Sequence, residues 1–333
     1  MKMSWQLFRH FVQISVLILI VFTSITAWYG AQLARGEIEN ILNSKPPTFT
    51  SWTIQIIDDS YGGSKSRISK TTNDAIQNND ALKNIRSLSG NHWVGEIFGF
   101  KIIDPVAGLQ ALLVKESSKS AVLIALIVPI IIALLFGRIF CSWICPAGFL
   151  FECVAKVRSF LLPFNIIGKS LKFWRGHKYT LLIVGLIFSG LFSIPILALI
   201  YPPAIIAREL HNIINSVFPG NLVMQNIIST TQIFSIFSLF IAFLMLFELF
   251  ISERAWCKYF CFGGAIYSCL GKFRLINVKL DSPKCNSCGD CTKSCPMDLN
   301  PMKNEFGMEC DNCLVCMSSC TKSALKFNFK GIK

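Results

Sequence analysis

Residues 284–321 hold eight cysteines in two tandem copies of one pattern, C-x2-C-x2-C-x3-C. The first copy is Cys285, Cys288, Cys291 and Cys295, closed by Pro296; the second is Cys310, Cys313, Cys316 and Cys320, with Thr321 where the proline would stand. Zinc sites usually take two C-x2-C pairs set far apart, not four cysteines in one run. A disulfide framework needs an oxidising compartment, which the charge distribution below argues against. Thiolates are the ligands that soft metal centres select, and three of them two residues apart let one tight loop wrap one centre. Pro296 cannot continue regular structure and turns the chain after the fourth cysteine.

The offsets resemble the ligand set of a two-cluster bacterial ferredoxin. In that arrangement the fourth cysteine of each run reaches across to the other cluster. The expected sets are therefore Cys285, Cys288, Cys291 and Cys320 for one [4Fe-4S] cluster, and Cys310, Cys313, Cys316 and Cys295 for the other.

The rest of the chain belongs to a different solvent. Of 333 residues, 53% are hydrophobic and 15% charged, which few soluble domains show. Four stretches are long enough for a bilayer core, which takes about 20 residues: 11–33, 120–140, 179–200 and 230–251. Arg138 lies near one end of the second, where it can snorkel. Pro129 and Pro195 fall inside spans, which neighbouring helices tolerate. The net charge of +13 raises the question of nucleic acid, but in a membrane protein clustered Lys and Arg set topology and meet anionic lipid. No nucleic-acid role is expected. No stretch contains a histidine and no C-x-x-C-H occurs, which counts against haem.

Lysines and arginines orient the spans. Lys2 and Arg9 precede the first. Lys156, Arg158, Lys169, Lys172, Arg175 and Lys178 follow the second, and twelve Lys and Arg follow the fourth. The loop between the third and fourth has only Arg208. Both termini are then cytoplasmic, and all fourteen cysteines fall on the reducing side or at its interface. The first stretch reads as a retained anchor rather than a cleaved leader: its apolar run is long and no clear A-x-A site follows. Residues 1–34 form this anchor, 35–119 an extracytoplasmic segment, 120–280 a transmembrane core and 281–333 the cytoplasmic ferredoxin domain. Within 35–119, residues 49–57 have strand character and 60–89 read as a loop or mobile helix. Asp104-Pro105 reads as a helix start. That helix is expected either to lie in the outer interface or to pack within a small external fold.

The spans themselves carry a repeat. After the second, the chain reads C-S-W-I-C-P-A-G-F-L-F-E-C; after the fourth, C-K-Y-F-C-F-G-G-A-I-Y-S-C. Each is C-x3-C-x2-G-x4-C, with Arg138 or Arg254 three residues before the first cysteine. Cysteines four apart share a helix face. If the copies pack together, Cys141, Cys145, Cys257 and Cys261 are candidates for a further metal or Fe-S site. The alternative is that they are small buried residues, a common place for free cysteine. For Cys153 and Cys269 that plainer reading is favoured.

C-S-W-I-C-P-A-G after a second span, a second C-x3-C after a fourth and a tandem ferredoxin tail together resemble the NapH family, with NosH and the membrane core of NosR as relatives. The second motif departs from the family's C-x3-C-P, with Phe262 in place of proline. The resemblance implies an α-helical membrane protein with four transmembrane helices and a C-terminal cytoplasmic α+β two-cluster ferredoxin domain. It implies residence in the bacterial inner membrane and electron transfer, as a quinol dehydrogenase component, between the quinone pool or a cytoplasmic reductant and a periplasmic nitrate or nitrous oxide reductase system. The partner it implies is a NapG-type periplasmic iron–sulfur protein. Polar residues near the interfaces that are candidates for a quinone site are Arg208, Glu209 and His211 outside, and His10 and His177 inside. Other readings are a maturation factor for a periplasmic metalloenzyme and a copper reductase using the paired C-x3-C motifs. No phosphate-binding glycine loop is present.

Overall fold

The computed structural model describes residues 2–35, 94–97, 100–113, 119–165, 167–168, 170–194, 196–217 and 236–329. The strand expected at 49–57, the loop at 60–89 and the start of the fourth stretch lie outside them. The chain divides into two compact units. One comprises Met1–Leu17, Ile103–Pro203 and Phe240–Lys333; the other comprises Ile18–Ile102 and Ala204–Leu239.

The first unit contains the repeat and the tail. It opens with the start of helix α1 (Lys2–Arg35). Asp104 and Pro105 then begin α2 (Pro105–Leu113), with the Val106 amide donating to Asp104 Oδ1 at 2.8 Å, as the cap-plus-proline signal requires. Val106 and Gln110 are buried, and α2 packs on α3 (Lys119–Phe136) and α5 (His177–Phe192). Gln110 Nε2 donates to Ser189 Oγ at 2.9 Å, so a polar pair sits inside the helix packing. Between α3 and α5 runs α4 (Pro146–Leu161).

The stretch expected to span continuously over 179–200 is broken. Ser193 is left-handed, with φ 53°, and ends α5. The short α6 (Ile196–Ile200) packs back on it. Gly185 makes room: a Cβ there would come within 2.2 Å of the buried Leu197 side chain. An apolar average does not see such a turn. Among the described residues, two helical stretches are long and apolar enough to cross a membrane, Trp5–Thr26 and Lys119–Phe136; His177–Phe192 and Phe237–Phe250 are shorter apolar helices. These helices turn large apolar side chains outward: Phe11, Ile124, Leu191 and Phe243 are all more than half exposed. Exposed apolar surface, where contiguous, marks a membrane or partner face.

The tail is α+β. Strands Ile276–Leu280 and Leu325–Phe329 pair antiparallel, Ile276 against Phe329 through Leu280 against Leu325. They bracket the two cysteine runs. The runs adopt one conformation twice: Ser287 and Gly289 in the first copy, and Asn312 and Leu314 in the second, all have positive φ. So do Asp298 and Ser323, three residues past each fourth cysteine. Positive φ curls the backbone so that successive cysteines face inward; Gly289 takes it freely, whereas Leu314 does so at a steric cost.

In the second unit, strands Val94–Ile97 and Phe100–Ile103 pair with each other. Helix Pro202–Val217 continues into this unit from Ala204. There the Arg208 guanidinium stands 3.6 Å from the Phe237 ring centroid, and Ser238 Oγ donates to Glu209 Oε2 at 2.7 Å.

Candidate iron–sulfur site

The eight tail cysteines fall into two groups of four. Cys285, Cys288, Cys291 and Cys320 line one enclosed cavity, with Leu280, Met302 and Leu325. Cys295, Cys310, Cys313 and Cys316 line another, with Val278, Phe306 and Leu314. Each group takes three cysteines from one run and the last from the other. The donor set suits iron–sulfur chemistry: four thiols around apolar walls, with no histidine in either lining. Among the described residues, no three His, Cys, Asp or Glu side chains converge as they would on a single ion. A cubane spreads its ligands around four irons and does not require that convergence.

The second group is the more deeply set. Cys310, Cys313 and Cys316 are buried, whereas Cys285 is half-buried and Cys288 exposed. Burial pushes the Cys310 thiol up to about 11, although Arg274 beside it pulls the other way. Burial also raises Cys316 and Cys313. Such thiols stay neutral unless a metal supplies the compensating positive charge.

The C-x3-C motifs sit directly against this second group. Each motif is a five-residue π-helical turn, Phe140–Ile144 and Trp256–Phe260, and then Cys145 or Cys261 caps the next helix. The cap sulfurs accept from the Gly148 and Gly264 amides, both at 3.4 Å. The glycine of the repeat is thus explained: a Cβ at Gly148 would stand 2.3 Å from Cys141 O, and one at Gly264 would stand 3.3 Å from Cys257 O. π-turns inside helices cluster at functional sites.

The two copies face each other, with Phe140 stacked on Tyr267 at 5.1 Å. Burial raises the Cys145 thiol, and Cys141 and Cys261 nearby raise it further; burial likewise pushes Cys261 up to about 12. Cys153 and Cys269 are exposed, in keeping with the plainer expectation for them.

The two repeat arginines then reach for the residues on either side of Cys310. Arg138 Nη1 is 2.5 Å from Glu309 Oε2, and its Nη2 donates to Cys257 O at 3.2 Å. Arg254 Nη1 is 2.9 Å from Asp311 Oδ2, and its Nη2 is 3.1 Å from Glu152 Oε2. Glu309 also takes Lys178, and the Tyr179 hydroxyl at 2.8 Å. Arg9 Nη2 is 2.5 Å from Glu152 Oε1. Burial works to raise the Glu309 carboxyl, but Arg138 and Lys178 hold it below the usual range. Glu152 is likewise held low by Arg254 and Arg9 against its own burial.

Neutral bonds complete the attachment. Ser142 Oγ donates to Asp311 O at 2.7 Å, Trp143 Nε1 to Asn312 O at 3.1 Å, Asn312 Nδ2 to Phe136 O at 2.7 Å and Gln6 Nε2 to Cys313 O at 3.0 Å. Trp143 packs in one apolar cluster with Cys291, Cys310 and Cys316.

Sequence reasoning missed Glu309, Asp311 and Glu152. The available signal was the arginine at the same place in both repeats, which asks for carboxylates. It also missed Glu248, a charge inside the fourth stretch. Glu248 accepts from the Ala255 and Trp256 amides at 2.8 and 2.7 Å and so closes the turn ahead of Cys257. Of the quinone-site candidates, His10 lies by Glu152 at 3.7 Å. His177 stacks on Phe260 at 6.2 Å with its Nδ1 buried and unbonded among the described residues. Arg208 and Glu209 lie in the second unit as described above, with His211 on the same helix.

A 4Fe-4S binding domain family matches residues 120–165 and 232–281. Each match covers one copy of the C-x3-C repeat. The match supports iron–sulfur binding, and similarity to ferredoxin-type proteins suggests an electron-transfer role. The chain is homologous to the ferredoxin-type protein NapH. It is 27% identical to NapH of Haemophilus influenzae over 237 residues, 68% of this chain and 74% of that one. It is 30% identical to YccM of Escherichia coli over 247 residues, 68% and 62% of the two chains. To the methylamine utilization ferredoxin-type protein MauN of Methylobacillus flagellatus it is 28% identical over 212 residues, 63% and 65%. No solved structure matches the chain significantly.

Proposed function

We propose that this chain is a membrane-bound electron relay with two [4Fe-4S] clusters. It joins the quinone pool or a cytoplasmic reductant to a periplasmic respiratory reductase system, through a NapG-type iron–sulfur partner. The observation that carries the reading is the division of the eight tail cysteines into two quartets, each around its own cavity. Cys285, Cys288, Cys291 and Cys320 hold one cluster; Cys295, Cys310, Cys313 and Cys316 hold the other. Each cluster supplies one-electron chemistry. The protein's part is to exclude water with Val278, Phe306 and Leu314, and to fix the Cys310 loop through Arg138, Arg254 and Trp143.

The outward apolar faces and the lysine and arginine distribution support four membrane crossings with both termini cytoplasmic. The facing pairs Cys141/Cys145 and Cys257/Cys261 are proposed as a third redox or metal site at the cytoplasmic surface, in contact with the Cys310 loop.

An anaerobic EPR redox titration, with iron counted on the same sample, tests this. The two tail clusters account for about eight irons per chain and two S = 1/2 signals, iron well above eight is the mark of the third site, and Cys295→Ser is expected to perturb the cluster of Cys310 rather than that of Cys285. Iron near zero after anaerobic purification would overturn the reading. Midpoints too low for a quinol to reach would confine the quinone link to the membrane core.

A further inference from the structure

The cavity lined by Cys295, Cys310, Cys313 and Cys316 shares a wall with an open groove. The groove has a volume of about 470 Å³, and its polar lining is Lys272, Arg274, Asn277, Lys279, Asn304 and Asn328. No carboxylate lines it. Val278 and Phe306 line both the groove and the cavity, so one layer of side chain separates solvent from the cysteine quartet. Arg274 bridges the two spaces: it is buried, and its Nη1 donates to Cys310 O at 3.1 Å. Lys272 and Lys279 are exposed at the rim. Asn277 Oδ1 is buried with no hydrogen-bond partner among the described residues, an acceptor left for an incoming donor.

We propose that this groove docks a small acidic electron-transfer protein, which delivers one electron across the Val278–Phe306 wall to the cluster of Cys295, Cys310, Cys313 and Cys316. The inference rests on the relay reading above. The carrier loses one electron and the cluster gains it; no proton or leaving group moves. Charge complementarity selects the partner: a positive, carboxylate-free concavity concentrates an acidic surface and speeds its encounter. Two exposed lysines, with no glycine-rich phosphate loop among the lining residues, favour a protein surface over a nucleotide phosphate.

The test uses the full chain in detergent and stopped-flow reduction by a pre-reduced acidic flavodoxin, followed by bleaching of cluster absorbance. In Lys272→Glu/Lys279→Glu the second-order rate is expected to fall roughly tenfold or more, and the wild-type decline with salt to flatten. Lys293→Glu, exposed and outside the groove, is expected to react as wild type does. An unchanged rate in the double variant, or an equal loss in Lys293→Glu, would remove the dock. Saturable one-to-one binding of free flavin mononucleotide, lost in the double variant, would make the groove a nucleotide site and overturn the proposed partner. A protein without cluster absorbance would remove the relay reading itself, whereas intact absorbance with a lysine-independent rate removes only the dock.

Discussion

Replacing Glu309 by Gln keeps the side chain's shape and removes its charge. In the structure that charge serves Arg138 at 2.5 Å and also Lys178, whose side chains are 1% and 0% exposed. The substitution therefore leaves two buried cations facing a neutral amide. Breaking one buried pair costs about 3–5 kcal/mol. The Tyr179 hydroxyl keeps an acceptor in the Gln carbonyl, so little is added for it. At about 2–4 °C per kcal/mol for a unit of this size, the midpoint of thermal loss of cluster absorbance should fall by roughly 6–20 °C. Adding Lys178→Met should recover part of the loss, because one of the two orphaned charges disappears.

The pH dependence has a definite sign. Glu309 titrates below its ordinary value in the folded chain, so its stabilisation is complete above the ordinary carboxylate range and disappears as pH falls through the lowered folded value. Wild type and Glu309→Gln should then differ most near neutral pH and converge in acid. A Glu309→Gln protein melting within about 2 °C of wild type at pH 7, a shift smaller than about 1 kcal/mol would give, would refute the reasoning. Glu305→Gln, at an exposed position, is the matched control.

Other perturbations follow from the same geometry. Gly148→Ala should be worse than Gly264→Ala, since the new methyl meets Cys141 O at 2.3 Å in one case and Cys257 O at 3.3 Å in the other. About 1–3 kcal/mol of overpacking is expected for the first, read as loss of monodisperse protein on size-exclusion chromatography. Trp143→Phe should keep the packing and lose the bond to Asn312 O, costing about 1 kcal/mol in a denaturant titration. Gly289→Ala, at φ 83° with open space around the new methyl, should cost about 1–2 kcal/mol through backbone strain alone. Chelator under mild oxidation should strip the proposed Cys285 cluster first, given the exposure of Cys288 against the burial of Cys310 and Cys313; simultaneous loss of both EPR signals would contradict this.

What the sequence made legible was whatever has a short period. The two tandem runs are visible from offsets of three and four, their crossed quartets are what the resemblance to a two-cluster ferredoxin implies, and the same cysteines line common cavities. The repeat after the second and fourth stretches was visible because its cysteines, glycine and arginine recur in register. The Asp104-Pro105 helix start was visible because its cap is local. The break at Ser193 was hidden, since hydropathy averages over a turn made of apolar residues. The destination of α2 was hidden too: Gln110 meets Ser189, 79 residues away, and no local pattern records that. Glu309 and Asp311 were passed over for a physical reason. A charged residue beside a loop cysteine normally faces water, and only the fold supplies the arginines that bury it.

Those arginines make the tail's two halves unequal. Arg138 and Arg254 occupy equivalent places in the repeat, yet both end at one cysteine of the tail, gripping the residue before it and the residue after it. The backbone of the two cysteine runs is nearly the same, with positive φ at matching positions. What differs is the flanking chemistry: Glu309 and Asp311 surround Cys310, while Lys284 and Asn286 surround Cys285. A lysine in place of Glu309 would repel Arg138, so the first run cannot take the same seat. The duplicated C-x3-C repeat can therefore accept the duplicated cysteine runs in only one of two orientations. The run that docks is the one in which Cys310, Cys313 and Cys316 are buried and whose wall opens on the basic groove. Charge pattern, rather than cysteine spacing, decides which proposed cluster faces the C-x3-C repeat and which is left nearer to solvent.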